Sequence, residues 1–144
     1  TPAWLLTDGS VRDFVDTTKH YVGFGGVPAG NYYIVVRHRN HLAIMSSVRY
    51  SVTGSLTPVV YDFSTGQGQA FGTNAMAHTG TRYALISGNA SNADAVINAL
   101  DRVATRNNVG ANTYIAADVN LDGVVNALDR VVSRTNVGQS TQVP

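Results

Sequence analysis

Asp118-Val119-Asn120-Leu121-Asp122-Gly123-Val124-Val125-Asn126-Ala127-Leu128-Asp129 places oxygen-bearing side chains at loop positions 1, 3, 5, 9 and 12. Gly123 stands at position 6, where such a loop must turn sharply, and Val124 at position 7 offers its backbone carbonyl. Calcium takes six to eight hard oxygen ligands at about 2.3–2.6 Å, and this spacing wraps them around one point. Asp118, Asn120, Asp122, the Val124 carbonyl, Asn126 and Asp129 are therefore the expected ligands of one calcium ion. Three carboxylates bring the dication close to charge balance. Val125 at position 8 is expected to bury its side chain and to pair its backbone with the equivalent residue of a second loop.

That second loop lies 28 residues upstream, because Asn98-Ala99-Leu100-Asp101-Arg102-Val103 recurs as Asn126-Ala127-Leu128-Asp129-Arg130-Val131. Arg106, Asn108, Val109 and Gly110 likewise recur as Arg134, Asn136, Val137 and Gly138. Such a match marks an internal repeat. The upstream copy keeps Asn92, Asp94, the Val96 carbonyl, Asn98 and Asp101 as candidate ligands, but has Ala90 at position 1 and Ala95 at the turn. Asn89 or Ser91 is available to replace the missing carboxylate through an altered loop; the alternative is an empty, purely structural loop. Asn89-Ala90-Ser91 is also a glycosylation acceptor triplet. Each copy continues into a helical pattern, with Leu100, Val103 and Ala104, and Leu128, Val131 and Val132, at i, i+3, i+4. Each then ends at Asn-Val-Gly, where glycine accepts the left-handed conformation of a helix end.

Upstream of residue 86 the texture changes to short runs rich in β-branched and aromatic residues: Tyr21–Phe24, Tyr32–Val36, Leu42–Met45, Val48–Val52 and Pro58–Phe63. Turn signals separate them, among them Val27-Pro28-Ala29-Gly30-Asn31 and Thr65-Gly66-Gln67-Gly68. The expected fold is mostly β plus α. An N-terminal antiparallel β-sandwich over residues 1–86 is followed by a duplicated calcium-binding domain over 87–144.

Two loops of this form, each followed by one helix and carrying Asp at position 12, resemble a type I dockerin-like domain over residues 88–138. The resemblance implies a pair of antiparallel helices clamped by calcium and, in the family, docking onto a cohesin partner. Recognition positions would be Ala99, Leu100, Ala127 and Leu128, with Arg102, Arg106, Arg130 and Arg134 along the helices. Binding to a different partner is the alternative. Gly26-Val27-Pro28-Ala29-Gly30-Asn31-Tyr32-Tyr33-Ile34-Val35-Val36 is similar to the turn-and-strand of transthyretin-like or carboxypeptidase-regulatory-like sandwiches. That resemblance implies a place near the C-terminus of a large secreted bacterial surface protein. Further strands normally precede the one expected around Trp4, so the sandwich is expected to lack a strand. An open sheet edge templates a strand from another chain.

Composition closes off other classes. No apolar run approaches the roughly 18 residues of a membrane span, and net charge is +1 with no basic block, so neither a membrane span nor a nucleic-acid partner is expected. Cysteine is absent, which removes disulfides and thiolate chemistry. There is no Glu, and four of the nine Asp lie outside the repeat with nothing to pair them as a hydrolytic couple. His38 and His41, three apart, would point to opposite faces of a single strand, so no shared metal or anion site is expected and they are read as surface or turn residues. The chain opens Thr1-Pro2-Ala3-Trp4, without initiator Met or signal core, as expected of an excised piece of a longer precursor. The expectation is a non-enzymatic extracellular or cell-surface module stabilised by calcium. Its partner is expected to be other copies of itself through strand augmentation, as in a filament, or a cohesin-like receptor.

Overall fold

The computed structural model describes every residue except 7, 55–57, 59, 92 and 93. It is a β-plus-α chain in which short antiparallel strands precede two helices. Ala3–Leu5 (β1) pairs with Val11–Asp13 (β2), and Gly30–Tyr32 (β3) with Tyr50–Val52 (β6). Val35–His38 (β4) pairs with His41–Met45 (β5), and Ala77–His78 (β7) with Tyr83–Ala84 (β8). Ala99–Asn107 (α1) and Ala127–Thr135 (α2) close the order and contact each other.

Two of the runs expected as strands are not extended pairs. Tyr21–Phe24 carries no ladder, and Gly23, Gly25 and Gly26 around it make ordering the backbone costly. Phe63–Thr65 instead forms a single 3-10 turn, because the Asp62 side chain accepts the Ser64 N–H at 2.8 Å and so caps it. Val59 of the run Pro58–Phe63 lies outside the described residues.

The chain divides into two compact units. The first comprises Thr1–Tyr32 and Ser51–Tyr61. None of its described residues is buried, and Trp4, Phe14 and Phe24 each stay about half exposed. Trp4 stacks on Phe14 with ring centres 5.3 Å apart and donates its indole N–H to the Phe14 carbonyl at 3.2 Å.

The second unit comprises Tyr33–Tyr50 and Asp62–Pro144. The boundary expected between residues 86 and 87 falls inside it, for a reason visible in its core. Leu42 of β5, Ile86 and Ile97 of the first repeat loop form one buried cluster, so β5 and the repeat share apolar contacts. A second cluster gathers Ile44, Ala70, Ala75 and Met76 under Val36, Phe63, Tyr83 and Leu85. Polar bonds also cross residue 86. The Asn136 amide donates to the Ser87 carbonyl at 2.8 Å, and the Thr141 hydroxyl donates to the Ala43 carbonyl at 2.7 Å.

Candidate metal centre

Both helices start the same way. Asn98 and Asn126 are N-caps whose side chains accept the N–H of Leu100 and Leu128, each at 2.7 Å. Asp101 and Asp129, at the third helical position, reach back to the N–H of Asn98 at 2.7 Å and of Asn126 at 2.8 Å. This reciprocal capping box satisfies donors that a helix start leaves orphaned. The second oxygen of each aspartate then ties the loop to its helix: Asp129 Oδ1 accepts from Val119 N at 2.8 Å and Asn120 N at 3.2 Å. Asp101 Oδ1 accepts from Ser91 N and Ser91 Oγ, both at 2.9 Å. Asp101 and Asp129 are fully buried.

Each helix ends at a glycine in the left-handed region, Gly110 and Gly138, both with φ of 91°. The chain turned by that glycine then clamps the loop of the other repeat. Gly110 N donates to the Val125 carbonyl and Val125 N to the Ala111 carbonyl, both at 2.8 Å. Gly138 N donates to the Ile97 carbonyl and Ile97 N to the Gln139 carbonyl, both at 2.9 Å. Val125 is buried as its position predicts, but its backbone pairs with the segment after α1 rather than with Ile97. The αL glycine delivers that segment alongside the loop before the two loops can meet.

In the second loop, Asp122 Oδ2 accepts from the amides of Asn120 at 2.8 Å and Asn126 at 3.3 Å. The Asn126 amide also donates to the Val124 carbonyl at 3.1 Å. Asp122 Oδ1 accepts from Val124 N at 3.0 Å. Hydrogen bonds from the Val124 N–H and the Asn120 amide hold the Asp122 carboxyl below its ordinary pKa, so it is ionised at neutral pH. Asp118 is buried; its Oδ2 accepts from Gly123 N at 3.1 Å, while its Oδ1 is buried without a partner.

The alternate residues Asp118, Asn120, Asp122, Val124 and Asn126 thus contribute a set of hard oxygens, one of them an orphaned carboxylate oxygen, with amide N–H groups supplying what positive charge there is. That donor set fits calcium. Asp118, Asp122 and the Val124 carbonyl are the groups that would hold it, with Asn120 and Asn126 beside them. Calcium would neutralise the Asp118 and Asp122 charges and tie the two ends of the loop together. Asp129 stands apart, because its carboxylate is committed to three backbone N–H groups. Among the described residues, no three histidine or acidic side chains gather as a cluster able to hold a metal.

The first loop echoes this arrangement with a different leading residue. Asn98 donates to Asp94 Oδ2 at 2.8 Å, and Val96 N donates to Asp94 Oδ1 at 3.0 Å. Asn89 is buried, donates its amide N–H to the Asp94 carbonyl at 3.1 Å, and leaves its Oδ1 buried without a partner. Of the two residues able to stand in for the absent carboxylate, Ser91 spends its hydroxyl on Asp101, so Asn89 is the one with a free oxygen. Asn92 lies outside the described residues.

Asn40 has no counterpart in the sequence reading. It is fully buried between β4 and β5, donates its side-chain amide to the Asp118 carbonyl, and accepts with its own carbonyl from Gly88 N at 3.0 Å and Asn89 N at 3.1 Å. One turn residue therefore holds the head of both loops. A polar pair, Arg39-Asn40, between two apolar runs was the available signal for a turn here. His38 and His41 flank this turn, as the turn reading of the sequence expects, and are cross-strand partners with rings 4.8 Å apart.

The recognition candidates Ala99, Leu100, Arg102, Arg106, Ala127, Leu128, Arg130 and Arg134 are all exposed. So are Val103 and Val131, which shared the helical periodicity with Leu100 and Leu128. The helix positions that are buried are Asp101, Thr105, Asp129 and Ser133. No helix is long and apolar enough to cross a membrane among the described residues. Compared with known proteins, the chain matches no family model, no curated protein and no solved structure.

Proposed function

We propose that this chain is an extracellular, calcium-stabilised structural module that associates with other copies of itself by strand pairing at its N-terminal unit. It acts by binding and assembly, not by catalysis. The observation that carries this reading is the first unit: none of its described residues is buried, yet it displays Trp4, Leu5, Val11, Phe14 and Phe24. A two-stranded ribbon such as β1–β2 is marginal by itself in water and gains independent stability from further strands over an apolar face. On this reading the unit is a β-sandwich completed by a strand from a neighbour, which would pair backbone groups and cover the aromatics together. The repeat is read as a dockerin-like helical pair, with calcium at the Asp118–Asn126 loop and a second ion at the loop headed by Asn89.

Light scattering of the purified chain, in millimolar calcium and then in excess chelator, tests this, with negative-stain microscopy of whatever is large. Ordered polymers whose Trp4 fluorescence reports a buried indole are the expected result. A monomer at every concentration, with Trp4 still solvent-exposed, refutes self-assembly.

A second reading has its own support. The duplicated outward stripe of Leu100, Val103, Leu128 and Val131, flanked by Arg102 and Arg130, is an apolar patch with a charged rim, as a docking surface requires. A calcium-dependent monomer that binds a cohesin-like receptor through this stripe would favour that reading over assembly.

A further inference from the structure

The geometry points to a second kind of metal site, for a borderline divalent cation of the zinc class, at the turn between β4 and β5: the Nδ1 atoms of His38 and His41 with the Asn40 side-chain oxygen. His38 Nδ1 and His41 Nδ1 are 2.9 Å apart, and His41 Nδ1 is 2.8 Å from Asn40 Oδ1. The orientation of the Asn40 amide is set from its other end, where Nδ2 donates to the Asp118 carbonyl, so the oxygen is the atom that faces His41. An amide oxygen can only accept, so a proton on His41 Nδ1 must serve it. His38 Nδ1, close to the same nitrogen, then presents a lone pair to that one proton. Three electron-pair donors share a single hydrogen, and a cation that binds all three satisfies them better.

The dimensions allow it. Zinc binds imidazole nitrogen at about 2.0–2.1 Å, so tetrahedral ligation asks for nitrogens roughly 3.3 Å apart. Opening the present pair by about 0.4 Å is within reach of small side-chain rotations, and the rings already stand nearly perpendicular, at 75°. Imidazole suits zinc, copper and nickel, whereas calcium selects hard oxygens, so this site and the repeat loops choose different ions. Arg39, in the same turn, lays its guanidinium over the Tyr114 ring, 3.8 Å from the centroid, which draws its charge toward the π face. Three protein donors leave the remaining coordination positions to solvent or to an incoming ligand.

The test titrates zinc chloride into the full chain held in saturating calcium, read by calorimetry and by the imidazole nitrogen resonances of His20, His38, His41 and His78. The expected result is one zinc per chain, with the His38 and His41 Nδ1 signals moving together and those of His20 and His78 unmoved. His38→Gln and His41→Gln should each weaken binding at least 10-fold, while His78→Gln leaves it unchanged. If His41→Gln unfolds, His38→Gln carries the test, with its folding checked by circular dichroism. Zinc that leaves the His38 and His41 signals unmoved, follows His20 or His78, or binds His38→Gln as tightly as the wild type overturns the proposal.

Discussion

Asp118→Asn separates calcium ligation from ordinary hydrogen bonding, because the two roles predict opposite signs in two buffers. Without an ion, Asp118 Oδ2 accepts from Gly123 N at 3.1 Å while Oδ1 is buried with no partner. A buried polar atom left unpaired costs about 1–3 kcal/mol, and more when it carries charge. Asparagine has the same shape, keeps the Gly123 bond through its own oxygen and removes the charge. In chelator the variant should therefore match the wild type or exceed it by up to about 1 kcal/mol. Calcium reverses the order. A ligand at one hundred times its Kd stabilises the folded state by about 2.7 kcal/mol. If loss of this carboxylate weakens calcium about 100-fold, the same concentration stabilises the variant by only about 0.4 kcal/mol. The wild type then leads by roughly 1–2 kcal/mol, or on the order of 3–7 °C in Tm. Thermal and urea unfolding followed by circular dichroism, in calcium and in chelator, measures both differences. The same destabilisation in both buffers would refute the assignment and make Asp118 a structural hydrogen-bonding residue.

Three further outcomes are expected. Leu121 has φ of 63° in the exposed fourth position of the second loop, a left-handed conformation that costs a branched side chain about 1 kcal/mol; Leu121→Asn should raise stability by roughly 0.5–1 kcal/mol in urea, and a loss of stability would contradict this. Gly88 has φ of 121°, and a Cβ there would lie 3.2 Å from Ser133 Cα and 3.4 Å from Ile97 Cδ1; Gly88→Ala should cost about 2 kcal/mol or more, and a neutral variant would mean the crossing of this segment over α2 yields easily. His41, at about 4 in the folded state against 6.5 unfolded, leaves the unfolded chain binding more protons between those values, so stability is full above about pH 6.5 and falls as pH drops toward 4. The loss should approach roughly 2–3 kcal/mol, with His38 adding in the same direction, and His41→Gln should flatten the profile; urea midpoints in calcium that stay level from pH 7 to 4.5 would contradict it.

The repeat was the most legible part of the sequence, because its local rules agree with one another. Asn98 and Asn126 followed three residues later by aspartate is a capping signal, Asn-Val-Gly is a stop signal, and position 8 is apolar in both copies. The i, i+3, i+4 spacing and the stop signal located both helices, the apolar position 8 buried Ile97 and Val125, and the capping boxes agree with them. The direction of the helices' apolar stripe was not legible, because periodicity marks a stripe without saying what covers it. Leu100, Val103, Leu128 and Val131 face outward, since the inner face is taken by Asp101 and Asp129, whose carboxylates serve the loops, and by the small polar residues Thr105 and Ser133. The N-terminal half is less legible for a related reason. β-rich runs announce strands, but pairing partners are set by non-local contacts. The turn at Arg39-Asn40, which makes β4 and β5 a hairpin and sends Asn40 to the head of both loops, reaches residues nearly eighty positions away. The unpartnered oxygens of Asp118 and Asn89 are likewise invisible in a pattern of letters, because being unpartnered is a property of the packed neighbourhood.

The division of labour within the repeat follows from where its polar groups lie. A short helix normally stays on its protein by burying an apolar stripe. Here each helix presents Asp101 and Thr105, or Asp129 and Ser133, to the interior, and each buried aspartate collects three hydrogen bonds from the loop preceding its helix. The link between loop and helix is therefore polar, directional and fixed in register, while the apolar contribution comes from the loops themselves through Ile97, Val119 and Val125. Each loop is in turn clamped by the segment that leaves the other helix, so neither repeat is complete alone, and anything that orders one loop supports both. A cation at the Asp118–Asn126 loop would act at that shared point. The outer helix faces carry no part of this load, which leaves Leu100, Val103, Leu128 and Val131 free for association.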